Sequence, residues 1–111
     1  MPRDYKVCLE DILEAVGRIR SYTLDLTLDA FRVDFKTFDA VVRNLEIIGE
    51  ATKGIPDSVR LKYPEVDWNR IRALRNILIH EYFGVDAEIV WDVVQNKVTA
   101  LEKLAQKILQ A

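Results

Sequence analysis

Apolar side chains recur along this chain at intervals of three and four residues, the spacing of one face of an α-helix. The first series predicts a helix over about residues 4–22, with the members Tyr5, Leu9, Ile12, Val16 and Ile19. The second predicts a helix that begins near Asp34 or Phe35 and runs to Gly54, with the members Phe38, Val41, Val42, Leu45, Ile48 and Ala51. Asp34 suits the N-cap, and glycine often follows a helix end.

Shorter elements lie around these two helices. Residues 24–34 form a connection with turn-prone aspartates, and one short helical turn is predicted around Leu28 to Phe31. After the second long helix, Ile55-Pro56 opens a third helix of about two turns, because proline suits a first helical turn. Pro64 then stops that helix.

Two further helices are predicted in the C-terminal part. Asp67 suits the N-cap of a helix over about residues 68–82, which Gly84 interrupts. Asp86 suits the N-cap of a last helix. The apolar stripe of that helix consists of Val90, Val94, Leu101, Leu104 and Ile108.

No strand is predicted from the sequence. Long amphipathic helices with short connections are typical of an antiparallel helical bundle. The sequence therefore predicts an all-α fold of about four to five helices. Because the 111 residues are 50% hydrophobic and contain no linker or repeat, we expect one domain over residues 1–111.

Composition limits where the protein works and what it binds. No apolar run approaches the roughly 18 residues of a membrane span, and the charged N-terminus lacks the apolar core of a signal peptide. A soluble cytoplasmic protein without a membrane partner is expected. Cys8 is the only cysteine and His80 the only histidine, so one protomer cannot build a disulfide or a zinc site of several nitrogen and sulfur ligands. We expect no metal and no cofactor.

Charge is unevenly distributed along the chain. The net charge is −2, which argues against binding nucleic acid through the overall field. When the chain is divided into residues 1–34, 35–59, 60–82 and 83–111, only the segment 60–82 has a positive balance, +2. Two excess charges are also compatible with an ordinary solvated face.

That positive segment contains the candidate chemistry. Arg72, Asn76 and His80 follow each other at i, i+4 and i+8 and predict a polar stripe along the helix, whereas Arg75 projects from the apolar arc. Histidine titrates near neutrality, arginine offers a bidentate fork to phosphate oxygens, and asparagine a neutral hydrogen bond to phosphate or base. Alternatively, a lone histidine near a helix end is a capping or core residue, and Tyr82 a core residue with its hydroxyl at the surface.

The second helix has polar side chains within its apolar run. Arg43, Glu46 and Glu50 lie at i, i+3 and i+7, which favours a salt-bridged seam between helices at least as much as a catalytic role. Arg43 and Asn44 could widen a phosphate or base site, or serve packing.

These residue types fit RNA cleavage without a metal. The reaction needs a base for the 2′-hydroxyl proton, an acid for the leaving 5′-oxygen and cationic donors for the phosphorane. His80 can supply proton transfer and Arg75 the cation. One imidazole cannot be acid and base in the same state, so a second protomer or another group must contribute.

The chain resembles the HepT-like toxins of the HEPN superfamily, whose mark is an Arg-(four residues)-His-X-Tyr motif. Here the motif consists of Arg75, His80 and Tyr82, with the polar Asn76 after the arginine. Three further segments are similar to that family, namely 43–51, 64–68 and 82–91.

The resemblance implies an all-α HEPN-like bundle and a metal-independent endoribonuclease that acts as the toxin of a HEPN/MNT toxin-antitoxin pair. It further implies a homodimer with the RNA cleft between its subunits, and a partner antitoxin, a minimal nucleotidyltransferase similar to MntA, that transfers AMP to Tyr82. Two alternatives remain open: a non-catalytic helical domain that binds a nucleotide or holds a nucleotidyltransferase, and a plain dimerisation module. The sequence does not identify the RNA that is cleaved.

Overall fold

The computed structural model describes residues 4–69, 71 and 87–110 of the chain. Its helices are α1 (Tyr5–Thr23), α2 (Leu28–Val33), α3 (Phe35–Thr52), α4 (Asp57–Arg60), α5 (Ala87–Asp92) and α6 (Val98–Gln110). A π-helical segment, Val93–Lys97, joins α5 to α6. No strand occurs in the described ranges, and the prediction of an all-α fold is confirmed.

The two long predicted helices are present with nearly the predicted bounds. Asp4 and Asp34 are their N-caps: the Asp4 carboxylate accepts from the amide of Lys6 at 2.9 Å. The Asp34 carboxylate accepts from the amide of Thr37 at 3.0 Å and from its hydroxyl at 2.6 Å. These contacts satisfy amides that have no partner inside a helix, which is why both helices begin where they do.

The core lies between α1, α3 and the C-terminal helices. Every predicted apolar residue of α1 from Leu9 to Ile19 is buried, as are Val41, Val42, Leu45 and Ile48 of α3. Cys8 near the start of α1 lies beside Gly54, just after α3, while Arg20 near the end of α1 bonds Glu102 near the start of α6 at 2.5 and 2.6 Å. Helix α1 therefore runs antiparallel to both α3 and α6.

The apolar stripe of the last helix is confirmed, since its five predicted members are all at most 7% exposed. The sequence did not predict the π-helical segment within it. Val94 within that segment and Val98 directly after it are both buried in the core. The predicted cap Asp86 lies outside the described residues.

Two short elements differ from the prediction. Helix α4 is four residues long instead of two turns, because it buries no side chain and Leu61 directly after it is 79% exposed. With Val59 alone of α4 packed partly against the core, the helix has little apolar surface that would lengthen it. Helix α2 runs on to Val33, beyond the turn predicted at Leu28 to Phe31, and Phe31 is fully buried.

Gly54 lies in the turn after α3, and its role is steric. The helix ends at Thr52, and none of the described glycines has a positive φ. A Cβ added to Gly54 would overlap the sulfur of Cys8, which is 3% exposed. Glycine therefore lets the end of α3 approach the start of α1 closely.

We predict that Gly54→Ala lowers the free energy of unfolding by about 1–3 kcal/mol, as overpacking does. In the Cys8→Ala background the same substitution should cost clearly less, because the overlapping sulfur is gone. Gly17→Ala is the control: no atom lies within 4 Å of its added Cβ, so helix propensity should stabilise the protein by about 0.5–1 kcal/mol. Urea unfolding measures all four variants, and equal costs of Gly54→Ala in both backgrounds would refute the steric explanation.

The cap of α3 predicts a pH dependence. The hydroxyl of Thr37, its amide and the nearby Lys36 lower the pKa of Asp34 from its usual value. Because the pKa of Asp34 is lower in the folded than in the unfolded state, its ionised carboxylate stabilises the fold at any pH above the unfolded-state pKa. This contribution is lost as pH falls through the folded-state pKa. An asparagine at this position would still cap the helix without titrating. The wild-type protein should therefore be more stable than Asp34→Asn near neutral pH, and this difference in stability should disappear as pH falls below about 4. Thermal unfolding at a series of pH values measures it. A difference in stability that does not change with pH would contradict the prediction.

Candidate functional site

The motif residues fall in a part of the chain that the structure does not describe. Arg72, Arg75, Asn76, His80 and Tyr82 all lie within residues 72–86. Their predicted roles and mutual geometry stay predictions. What the structure shows is how the chain is held immediately before and after them.

Before the motif, the chain is fixed by Trp68. This side chain is 8% exposed, and its indole N–H donates to the carbonyl of Tyr63 at 3.1 Å. Residues 68, 69 and 71 are helical, and the amide of Ile71 donates to the carbonyl of Asp67 at 3.2 Å. The predicted start of the motif helix, with Asp67 at the N-cap position, is confirmed.

After the motif, α5 is fixed against α2. The rings of Phe31 and Trp91 lie 5.1 Å apart between centroids and are tilted by 42°. At the surface, the guanidinium of Arg32 donates to the carboxylate of Glu88 at 3.0 Å. Sequence reasoning missed this anchor. The signal was Phe31, the one aromatic residue of the connection over residues 24–34.

Two carboxylates of α3 pair with cations three residues away along the chain. Arg43 lies 3.4 Å from Glu46, and Lys53 lies 3.5 Å from Glu50. The Arg43 side chain is 70% exposed, whereas that of Glu46 is 20% exposed. A nearby cation therefore accompanies each carboxylate, as the sequence required, and Arg43 remains accessible to an anion.

Asn44 is buried, unlike its neighbour Arg43. It is 5% exposed, and its amide nitrogen donates to the carbonyl of Ala40 at 2.9 Å. Its side-chain oxygen has no hydrogen-bond partner among the described residues. A buried acceptor without a donor costs about 1–3 kcal/mol. The predicted contact with substrate stays a prediction.

A groove of about 440 Å³ lies beside the start of the motif helix. Its apolar lining includes Leu45, Ile48, Val66, Ile71, Val98 and Leu101. Three charged residues also line it: Glu65 and Asp67 come from the loop before Trp68, and Lys97 comes from the π-helical segment. The groove thus combines apolar walls with charges of both signs.

Within the described ranges, no three His, Cys, Asp or Glu side chains are grouped so that they could hold a metal ion. Among the helices that the structure describes, none combines the length and the hydropathy that crossing a membrane requires.

Comparison with known proteins places the chain in the class of all-helical ribonucleases. A model of the family described as ribonuclease HepT-like matches residues 12–108, so the chain belongs to the HepT-like ribonuclease family. No solved structure matches the chain.

Several relatives are similar over nearly their whole length. A protein of Methanocaldococcus jannaschii that is named as an RNase is 46% identical, over 99% of this chain and 92% of its own. A protein of Thermococcus cleftensis with the name ribonuclease HepT is 41% identical, over 97% and 98% of the two chains. A protein of Caldanaerobacter subterraneus, also named as an RNase, is 39% identical over 98% and 95%.

We predict that Asn44→Leu raises the free energy of unfolding by about 1 kcal/mol, because it removes a buried acceptor that has no partner in the described chain. Thr52→Val is the control: the Thr52 hydroxyl is buried and donates to the carbonyl of Gly49 at 2.7 Å, so its loss should not stabilise. Urea unfolding measures both. A loss of more than about 2 kcal/mol in Asn44→Leu would mean that the oxygen is satisfied in solution.

Proposed function

We propose that the protein is a metal-independent endoribonuclease that cleaves RNA with the Arg75-X4-His80-X-Tyr82 motif, in which Arg75 and His80 are the catalytic residues. The observation that carries the proposal is family membership over residues 12–108 together with an uninterrupted Arg-X4-His-X-Tyr motif within that range. The motif lies in the segment 60–82, whose charge balance is positive, and Arg75 follows the anchored Trp68 by seven residues.

Each residue has a chemical role in this proposal. An imidazole takes the proton of the 2′-hydroxyl, whose oxygen attacks the phosphorus, and the 5′-oxygen leaves with a proton from an acid. The products carry a 2′,3′-cyclic phosphate and a free 5′-hydroxyl. Arg75 stabilises the charge that gathers on the phosphorane, and Asn76 and Arg72 hold the neighbouring phosphate or base.

The second acid or base comes from a second copy of the chain. Because one protomer has a single histidine, a homodimer with both His80 residues in one cleft supplies both proton-transfer groups. Arg43, whose side chain is 70% exposed, extends the phosphate contacts from α3. Asn44 contacts substrate in this proposal, and Glu46 and Glu50 support the neighbouring cations.

In the cell, the protein acts as the toxin of a HEPN/MNT pair in the cytoplasm. The antitoxin is a nucleotidyltransferase similar to MntA. It transfers AMP from ATP to the hydroxyl of Tyr82, with release of pyrophosphate. The added group carries a negative charge, so it blocks the cleft and repels RNA phosphates.

The test is RNA cleavage by the purified protein with a chelator present. We expect cleavage by wild type with cyclic-phosphate ends, and a loss of roughly 10²–10⁴-fold in His80→Ala and Arg75→Ala, since each removes a group needed in the transition state. Lys103→Ala, an exposed position on α6, is the control and should cleave as wild type does.

Unchanged cleavage in His80→Ala would refute the assigned chemistry. A folded wild type that leaves RNA intact but binds ATP or a nucleotidyltransferase would instead support the alternative, a non-catalytic nucleotide-binding or scaffold domain.

A further inference from the structure

Two opposite charges face the groove beside the motif helix without meeting each other. Glu65 lines it from the loop before Trp68, and Lys97 lines it from the π-helical segment. Neither side chain forms an ion pair or hydrogen bond with another residue in the part of the chain that is described. Both charges are therefore available to a molecule bound in the groove.

The space between these charges suits a flat, mainly apolar group. Leu45, Ile48 and Val98 are nearly fully buried and form the floor on the core side. The volume of about 440 Å³ is within the roughly 300–1,000 Å³ of ordinary small-molecule sites. A nucleobase has two apolar faces and a polar edge, so it can lie between such walls while its edge reaches a charged side chain.

The π-helical turn is independent support. It falls at Val93–Lys97, and both of its end residues line the groove. Such turns are rare and occur frequently at functional sites, because they re-aim side chains that a regular helix would direct elsewhere. Here Val94 within the turn and Val98 after it are buried in the core, while Lys97 lines the groove.

We propose that this groove binds one nucleotide of the RNA substrate next to the cleaved bond, with Lys97 on its phosphate and Glu65 on its base. The inference rests on the proposed ribonuclease function. The link is Ile71, which lines the groove and precedes Arg75 by four residues. A carboxylate accepts hydrogen bonds and donates none, so it favours a base edge with adjacent N–H donors. Guanine, with N1–H and N2–H₂ on that edge, fits best.

Three variants test the assignment through cleavage kinetics. Lys97→Met should raise KM on the order of 5–10-fold with kcat nearly unchanged, and should reduce the slope of log affinity against log salt by about 0.7. Glu65→Gln should weaken a preference for guanine at one position beside the cut. Ala100→Trp, which fills the groove from an exposed position, should raise KM as well.

Matched controls are exposed positions of α6 away from the groove, Lys103→Met and Gln106→Trp, which should leave KM and the salt slope unchanged. If Lys97→Met and Ala100→Trp behave like these controls while wild type cleaves RNA, the groove is not a subsite, and the proposed function stands without it.

A binding measurement separates the two proposals. Guanosine 5′-monophosphate added to wild type should shift the methyl NMR signals of Ile71, Val98 and Leu101, and Ala100→Trp should abolish these shifts. Absence of shifts in wild type would overturn the nucleotide assignment, whatever the cleavage result. Shifts in a protein that does not cleave RNA would refute the substrate subsite together with the ribonuclease function.

Discussion

The packing of α3 against α1 is the interaction on which the rest of the described structure depends. Val41, Val42, Leu45 and Ile48 are at most 2% exposed, and the burial of such side chains contributes roughly 1.5–3 kcal/mol each. Two of these residues, Leu45 and Ile48, also line the groove. The same helix therefore supplies core, groove floor and the polar residues Arg43 and Glu46. A shift of α3 along α1 would move all of them together, and the close approach at Gly54 resists such a shift.

The chain is anchored on both sides of residues 72–86, and the two anchors differ from the surface ion pairs in strength. Trp68 and Trp91 each bury a large aromatic surface, and aromatic pairs contribute beyond the burial itself. The side chains of Arg32 and Glu88 are 46% and 65% exposed. Because solvent screens such a pair, it contributes at most about 1 kcal/mol to the free energy of unfolding. The aromatic contacts therefore hold these positions, and the ion pair adds little to them.

Helical spacing in the sequence predicted α1, α3 and the buried stripe of the last helix, because strong periodicity reports which face is buried. The extent of α4 and the π-helical turn could not be predicted. Both depend on whether neighbouring elements offer a surface to pack against, and local spacing does not contain that information. The exposure of Leu61 and the burial of Asn44 could not be predicted for the same reason, since both depend on neighbouring elements. The candidate site was predicted from residue chemistry and family resemblance, which identify reacting groups but not the groove lined by Glu65 and Lys97.

A protein with a net charge of −2 binds a polyanion only where local cations are placed at phosphates. The described groove illustrates the consequence, since two carboxylates and one lysine line it. A phosphate that lies on Lys97 gains an attractive contact, whereas one displaced toward Glu65 or Asp67 is repelled. Such a surface binds RNA more weakly in a sequence-independent way and slides less along it, because both properties grow with the number of phosphate contacts. In exchange it restricts the registers in which RNA can lie. For the proposed ribonuclease, selectivity would then arise as much from carboxylates that exclude wrong positions as from cations that hold the right one.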